Sequence, residues 1–297
     1  MKNLTAIFLL SGVKVATSTN IGGFALESVP GHPNCTYLRF DFTHSPNKNL
    51  YFECEKEVRL LSFILSVVYG IAYPELKVIT GKSGPRLQAT DRGIRNPVIL
   101  EPNDFDKIKK AYKKVKNMTR GEKKIFGFVA RWIQKAGGSH NVYDQFMCYW
   151  IAFNFLYGLM HPGGEQEKIK EWVDAQCDNT YADQLFSDFK NNKQSPKRLA
   201  IEYLAKGNLT LYKIQKKKKI RRYISRELLR AICSSTFNLD TLCLLVLNIY
   251  AVRCKLFHGD WSYLGNVKRY VGGAVFLLYE VIRRGLEKQC NFDFYKL

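Results

Sequence analysis

Leu242, Leu245, Ile249, Val252 and Leu256 recur at spacings of three and four in a stretch that ends Arg253-Cys254-Lys255-Leu256-Phe257-His258-Gly259-Asp260. That period is the apolar face of a helix, and such a face has to be covered by other elements. Gly259, just past the last periodic residue, is a stop signal. The sequence therefore predicts a buried helix with His258 in its last turn and Arg253 about one and a half turns earlier. Positions five apart diverge by roughly 140° on an ideal helix, so one helix alone does not converge this pair. The helix end, or a second copy of the helix, has to bring the two groups together. A histidine working beside a fixed guanidinium suits phosphodiester chemistry.

The rest of the chain divides by periodicity. Residues 1–103 lack long helical patterns. Ala6–Val15, Phe24–Val29 and Tyr37–Phe42 read as short strands, separated by Gly22-Gly23 and by Pro30-Gly31-His32-Pro33. A helix is predicted from Glu53 to Tyr73, with strands at Leu76–Thr80 and Pro97–Leu100. Gly81-Lys82-Ser83 resembles the tail of a phosphate-binding loop, but Leu76 stands where that motif needs its first glycine, so nucleotide binding there is rejected. Residues 104–119 read as a basic amphipathic connector helix, capped by Asp104 or Asn103. Residues 120–297 are helical almost throughout, with Asn141 as the cap of an aromatic helix running to Met160. The expected fold is α+β: a small mixed β/α domain over 1–103, the connector, and an all-α helical bundle over 120–297.

Charge narrows the partner. The net charge is +20 over 297 residues, with a pI near 9.6, and such a chain is drawn to polyanions by phosphate contacts and counterion release. Nucleic acid leads, with a membrane surface or an acidic protein also compatible with charge alone. The strongest basic run is Lys216, Lys217, Lys218, Lys219, Arg221, Arg222 and Tyr223, which suits a single-stranded RNA path with Tyr223 available for stacking. The same run also reads as a solvated loop and helix start. Lysines 107 to 116 of the connector carry the same two readings.

No apolar run approaches the roughly 20 residues that span a bilayer. The apolar start, Leu4 to Val13, is interrupted by Lys14 and reads as a first strand rather than a signal peptide. The eight cysteines form no C-x-x-C and read as reduced thiols in a cytoplasmic protein. Neither a clustered metal-ligand set nor a carboxylate pair of two-metal type is visible, so no metal or cofactor is expected.

Two stretches carry a resemblance. RCKLFHG, an Arg-x4-His at the end of an apolar helix, looks like the signature of HEPN domains. About a hundred residues upstream, Phe146-Met-Cys-Tyr-Trp150-Ile-Ala-Phe-Asn154-Phe-Leu-Tyr157-Gly158 is similar to the aromatic helix of ApeA-like HEPN proteins. The resemblance covers roughly 120–290. It implies a metal-independent endoribonuclease whose dimer sets two Arg-x4-His motifs across one cleft, in prokaryotic antiviral defence or as a toxin, with RNA as partner and an inhibitory or triggering protein as a further one. Arg253 and His258 then carry catalysis, with Asn154 and Cys254 in support. Asn154 is expected to bond within the bundle. The family usually has a polar residue directly after the arginine, and Cys254 departs from that. The departure favours the alternative, an inactive HEPN-like module that binds RNA or a partner.

Overall fold

The computed structural model describes residues 2–11, 13–44, 49–69, 71, 75–80, 98–159, 163–191, 195–215, 218–258 and 267–292. It is a mixed α+β structure, with a small sheet near the N-terminus and helices thereafter. The chain divides into two compact units, Met1–Gly138 with Cys290–Leu297, and Ser139–Gln289.

The first unit begins with β1 (Lys2–Ser11), β2 (Val13–Val15), β3 (Thr19–Ile21), β4 (Phe24–Val29) and β5 (His32–His44). After α1 (Leu50–Tyr69) come β6 (Glu75–Thr80) and β7 (Val98–Leu100). Five strands form a sheet in the order β3-β4-β5-β1-β6, antiparallel at every pairing. Gly22 and Gly23, at φ of +58° and +93°, turn β3 into β4, a backbone that side chains resist. Phe40 stacks on Phe8 across the β5–β1 pair and meets Phe24 on its other side, at centroid distances of 6.0 and 5.0 Å. β2 pairs in parallel with β7 and is tied to β5 by the Thr36 hydroxyl, which donates to the Val13 carbonyl at 2.8 Å.

The same unit contains α2 (Pro102–Asn117) and α3 (Arg120–Gly137). α1 packs on both, so these helices belong with the sheet and the compact unit runs past residue 119. The start of α2 differs from expectation. Glu101 is its N-cap with Pro102 at the first helical position, and Asp104 reaches back to accept the Glu101 N–H at 2.9 Å. Thr119 and Glu122 form a reciprocal capping box on α3. Phe292 returns to this unit and packs on Phe126.

The second unit holds α4 (Val142–Gly158), α5 (Glu165–Gln176), α6 (Asn179–Asn191) and α7 (Pro196–Lys206). Then come β8 (Leu211–Gln215), β9 (Lys218–Arg222), α8 (Ile224–Cys233), α9 (Leu239–His258) and α10 (Val267–Gln289). Asn141 caps α4 as expected, accepting the Tyr143 N–H at 2.9 Å. The unit is not all helix. The basic run forms an antiparallel hairpin, with Leu211 opposite Arg222 and Gln215 opposite Lys218. Basic residues interleaved with Ile214 and Ile220 fit a ladder as well as a helix start, and the pairing partner 211–215 lies upstream of the charged run.

α10 packs on α4, α7, α9 and α5. Gly285 makes the closest approach possible: a Cβ there would stand 2.7 Å from Leu156 Cδ1 and 2.9 Å from Trp172 Cζ2. α9 is more enclosed than a striped helix. Eight consecutive residues, Leu245 to Val252, are buried, which is the signature of a helix surrounded on all sides. Asn248 sits among them at 0% exposure. Its amide donates to the carbonyls of Leu244 and Ile224, and its oxygen accepts from Ser225 Oγ, which in turn accepts the Leu209 N–H. A buried amide with every bond made is tolerated, and here it joins α9 to the start of α8.

Among the described residues no helix is long and apolar enough to cross a membrane. None of the eight cysteines is in a disulfide. Burial pushes the thiols of Cys54, Cys177 and Cys290 up to about 12, and that of Cys243 to about 11, so these four behave as apolar core atoms rather than nucleophiles.

Candidate functional site

α9 leaves the core at its C-terminal end. Val252 is fully buried, Arg253 to Leu256 are partly buried, and Phe257 and His258 are exposed. The motif therefore occupies the last turns of a helix whose preceding two turns are locked in place. That is a rigid mount for side chains presented at a surface.

Arg253 is only 24% exposed. Its Nη1 lies 3.7 Å from Glu165 Oε2, and its Cζ lies over the Phe257 ring, 4.6 Å from the centroid. The separation from Glu165 is beyond hydrogen-bonding reach. Nε is buried without a partner, and among the described residues the guanidinium makes no hydrogen bond at all. Arg222 and Arg284 of this unit are held differently, while Arg283 stands at the same 3.7 Å from Glu280. Arg222 grips Glu227 with Nε at 2.8 and 3.0 Å, and Arg284 bonds the Gln176 carbonyl at 3.1 Å, Asp178 at 2.9 Å and Glu287 at 2.9 Å.

Glu165 is the first residue of α5, where the helix dipole favours a carboxylate. The Tyr250 hydroxyl donates to its Oε2 at 2.9 Å and the Tyr157 hydroxyl to its Oε1 at 3.3 Å. Burial, with the Glu165 charge adding to it, raises both tyrosines well above their ordinary value, so both remain donors across the physiological range. Trp150 stands behind them, with its ring centroid 5.9 Å from each tyrosine. Trp150, Phe153 and Tyr157 of α4 turn into the core, and Phe153 meets Trp172 edge-on at 5.1 Å.

The sequence-derived residues fare unevenly. Arg253 and His258 share one helix end, but no hydrogen bond, ion pair or ring contact joins them among the described residues. The divergence of positions five apart on a helix accounts for this. Cys254 lies one turn on from Tyr250 and is partly buried. Asn154 is exposed, contrary to the expectation that it bonds within the bundle. It follows Phe153 on α4 by one position, and that 100° rotation carries it off the buried face. The buried amide is Asn248 instead.

In the basic run, Lys216 and Lys217 lie outside the described residues, and Lys218 and Lys219 are placed in β9. Arg222 is taken up by Glu227. Arg221 and Arg226 both lean on the Tyr223 ring, at 5.4 and 4.6 Å, and Tyr223 is 39% exposed. Arg226 joins this cluster by its place in α8, one turn beyond the hairpin.

Glu165, Tyr157 and Tyr250 are the site residues that sequence reasoning missed. Tyr157 lay inside a quoted motif, and Tyr250 stands one turn before the motif arginine. Glu165 carries no signal beyond its position in a polar loop.

No family model, curated protein or solved structure matches this chain. Function is therefore argued from the site. Among the described residues no group of three or more His, Cys, Asp or Glu side chains is disposed to hold a metal ion. The site offers a guanidinium with unused donors, an exposed histidine at the same helix end, and an exposed basic and aromatic cluster where the hairpin meets α8.

Proposed function

We propose that this chain is a metal-independent endoribonuclease of HEPN type, acting as a homodimer through Arg253 and His258. The observation that carries the reading is the state of Arg253. Arg253 is three-quarters buried with its Nε unpartnered, which is costly, while its Nη groups make no hydrogen bond among the described residues and are placed to grip an anion. A phosphodiester is the anion that a +20 chain with an arginine–tyrosine–arginine cluster attracts.

In the proposed reaction the ribose 2′-oxygen attacks phosphorus and the bond to the 5′-oxygen breaks. The products are a 2′,3′-cyclic phosphate and a 5′-hydroxyl end. Arg253 holds the charge that develops on the phosphoryl oxygens. His258 takes the 2′-hydroxyl proton or supplies one to the leaving oxygen, a role worth about 10²–10⁴ in rate. Arg253 and His258 of one copy diverge, so the composite cleft needs two copies of the helix. The resemblance places such a protein in prokaryotic antiviral defence or among toxins, in the cytoplasm, under an inhibitory or triggering partner.

A second reading is an inactive module that binds RNA or a protein partner. Cys254 favours it, because it stands where the resembling family usually has a polar residue directly after the motif arginine. Cleavage of total and transfer RNA in EDTA, beside His258→Ala, separates the two. Cleavage that persists in EDTA and is lost in the variant supports the nuclease. Tight RNA binding by both proteins with no cleavage by either supports the module.

A further inference from the structure

We infer that Glu165, held by Tyr157 and Tyr250, is the positioning residue for Arg253. The inference rests on the nuclease reading and deepens it.

The geometry separates holding from hydrogen bonding. Both Glu165 oxygens accept a tyrosine hydroxyl, at 2.9 and 3.3 Å, so the carboxylate is fixed from two helices, α9 and α4. It stands 3.7 Å from Arg253 Nη1, close enough to orient a cation by charge and too far to occupy an N–H. Phe257 limits the guanidinium, whose Cζ lies 4.6 Å from the ring centroid. The cation is thus fixed by charge and by a ring while its Nη donors, unlike the buried Nε, stay available for a phosphate. Arg222 and Arg284 of the same unit close on their partners at 2.8–3.1 Å, whereas Arg283 stands 3.7 Å from Glu280 within one helix; what sets Glu165 apart is that two tyrosine hydroxyls from other helices hold it beside Arg253. Glu165 does not touch the reacting atoms in this scheme; it acts through Arg253.

The test uses the full chain and four proteins: wild type, Glu165→Gln, Arg253→Ala and the double variant. Each is measured for thermal midpoint, and for equilibrium binding and single-turnover cleavage of a short fluorescein-labelled single-stranded RNA containing all four bases. Glutamine retains an oxygen for the tyrosines and removes the charge. Glu165→Gln is expected to melt within a few degrees of wild type, lose cleavage rate by about tenfold or more, and bind RNA within about threefold. In the Arg253→Ala background the same substitution is expected to change nothing further, because a residue that acts through another has no effect once that other is gone. Wild-type cleavage by Glu165→Gln, or a loss that adds to that of Arg253→Ala, would overturn the inference. If wild type itself cleaves no RNA, the nuclease reading fails separately, and Glu165 is judged on binding. Glu165→Gln must then weaken RNA binding in the wild-type background and not beside Arg253→Ala; equal binding in both would sink it.

Discussion

Arg253 faces Glu165 at 3.7 Å without a hydrogen bond, while its Cζ lies over the Phe257 ring. Charge alone is not what this pocket selects. A lysine would keep the charge and lose the planar group and the fork of donors. Arg253→Lys is expected to reduce RNA cleavage by about tenfold or more while RNA affinity at low salt changes little. Rates measured beside binding isotherms decide it, and full activity in the lysine variant would remove the geometric role.

The hairpin and α8 divide their arginines by task. Arg222 is closed on Glu227, whereas Arg221 and Arg226 flank the exposed Tyr223. Arg221→Ala is expected to lower the slope of log affinity against log salt by about 0.7, the value of one phosphate contact on a single strand. Tyr223→Ala is expected to cost about 1–3 kcal/mol of affinity through lost stacking. Arg222→Ala is expected to leave the salt slope alone. Titrations of one single-stranded RNA at several salt concentrations provide the comparison.

Gly285 has no room for a methyl group against Leu156 and Trp172. Although alanine is the better helix former, Gly285→Ala is expected to destabilise the protein by about 1–3 kcal/mol, because overpacking outweighs propensity. Urea unfolding of the two proteins measures it, and a gain in stability would show that α10 and its neighbours shift freely.

Asn248→Ala removes three bonds from a fully buried network and leaves the Ser225 hydroxyl proton without its acceptor, while the two helix carbonyls keep their backbone partners. The expected loss is about 1–3 kcal/mol, larger than the intrinsic helix preference of alanine returns. The same unfolding measurement applies. Hydrogen exchange at the Leu209 amide, one bond further along the network, is expected to quicken.

The α3 capping box gives a pH dependence of definite sign. The Thr119 side chain and backbone hold the Glu122 carboxyl below its ordinary value of 4.5. A group depressed on folding stabilises the native state fully above its unfolded value, and that contribution is lost as pH falls through the folded one. Thr119→Ala is therefore expected to destabilise by about 1 kcal/mol near neutrality. The difference from wild type should begin to shrink only below 4.5, as pH falls through the depressed folded value of Glu122. Thermal midpoints across pH 3–7 test the convergence; a gap constant over that range would separate Glu122 from the cap.

Much of the element order was legible along the chain. Phe24–Val29 appears as a strand with those bounds, Asn141 caps its helix, and the motif helix has His258 in its last turn. These features are local: alternation, caps and apolar period are set by residues a few positions apart. The hairpin at 211–222 was not legible, because a basic run states its charge and not its pairing partner. Asn154 and Asn248 make the same point. Both are amides within apolar helices, and only the packing around each helix decides that one is exposed and the other fully enclosed. The sequence by itself determined that Arg253 and His258 sit at the end of an apolar helix and diverge around it, since helical geometry requires both. Only the tertiary structure decided that Glu165, eighty-eight positions before Arg253, stands beside it with two tyrosines attached. Contacts across such a separation follow from how α4, α5 and α9 pack, and no local pattern encodes that choice.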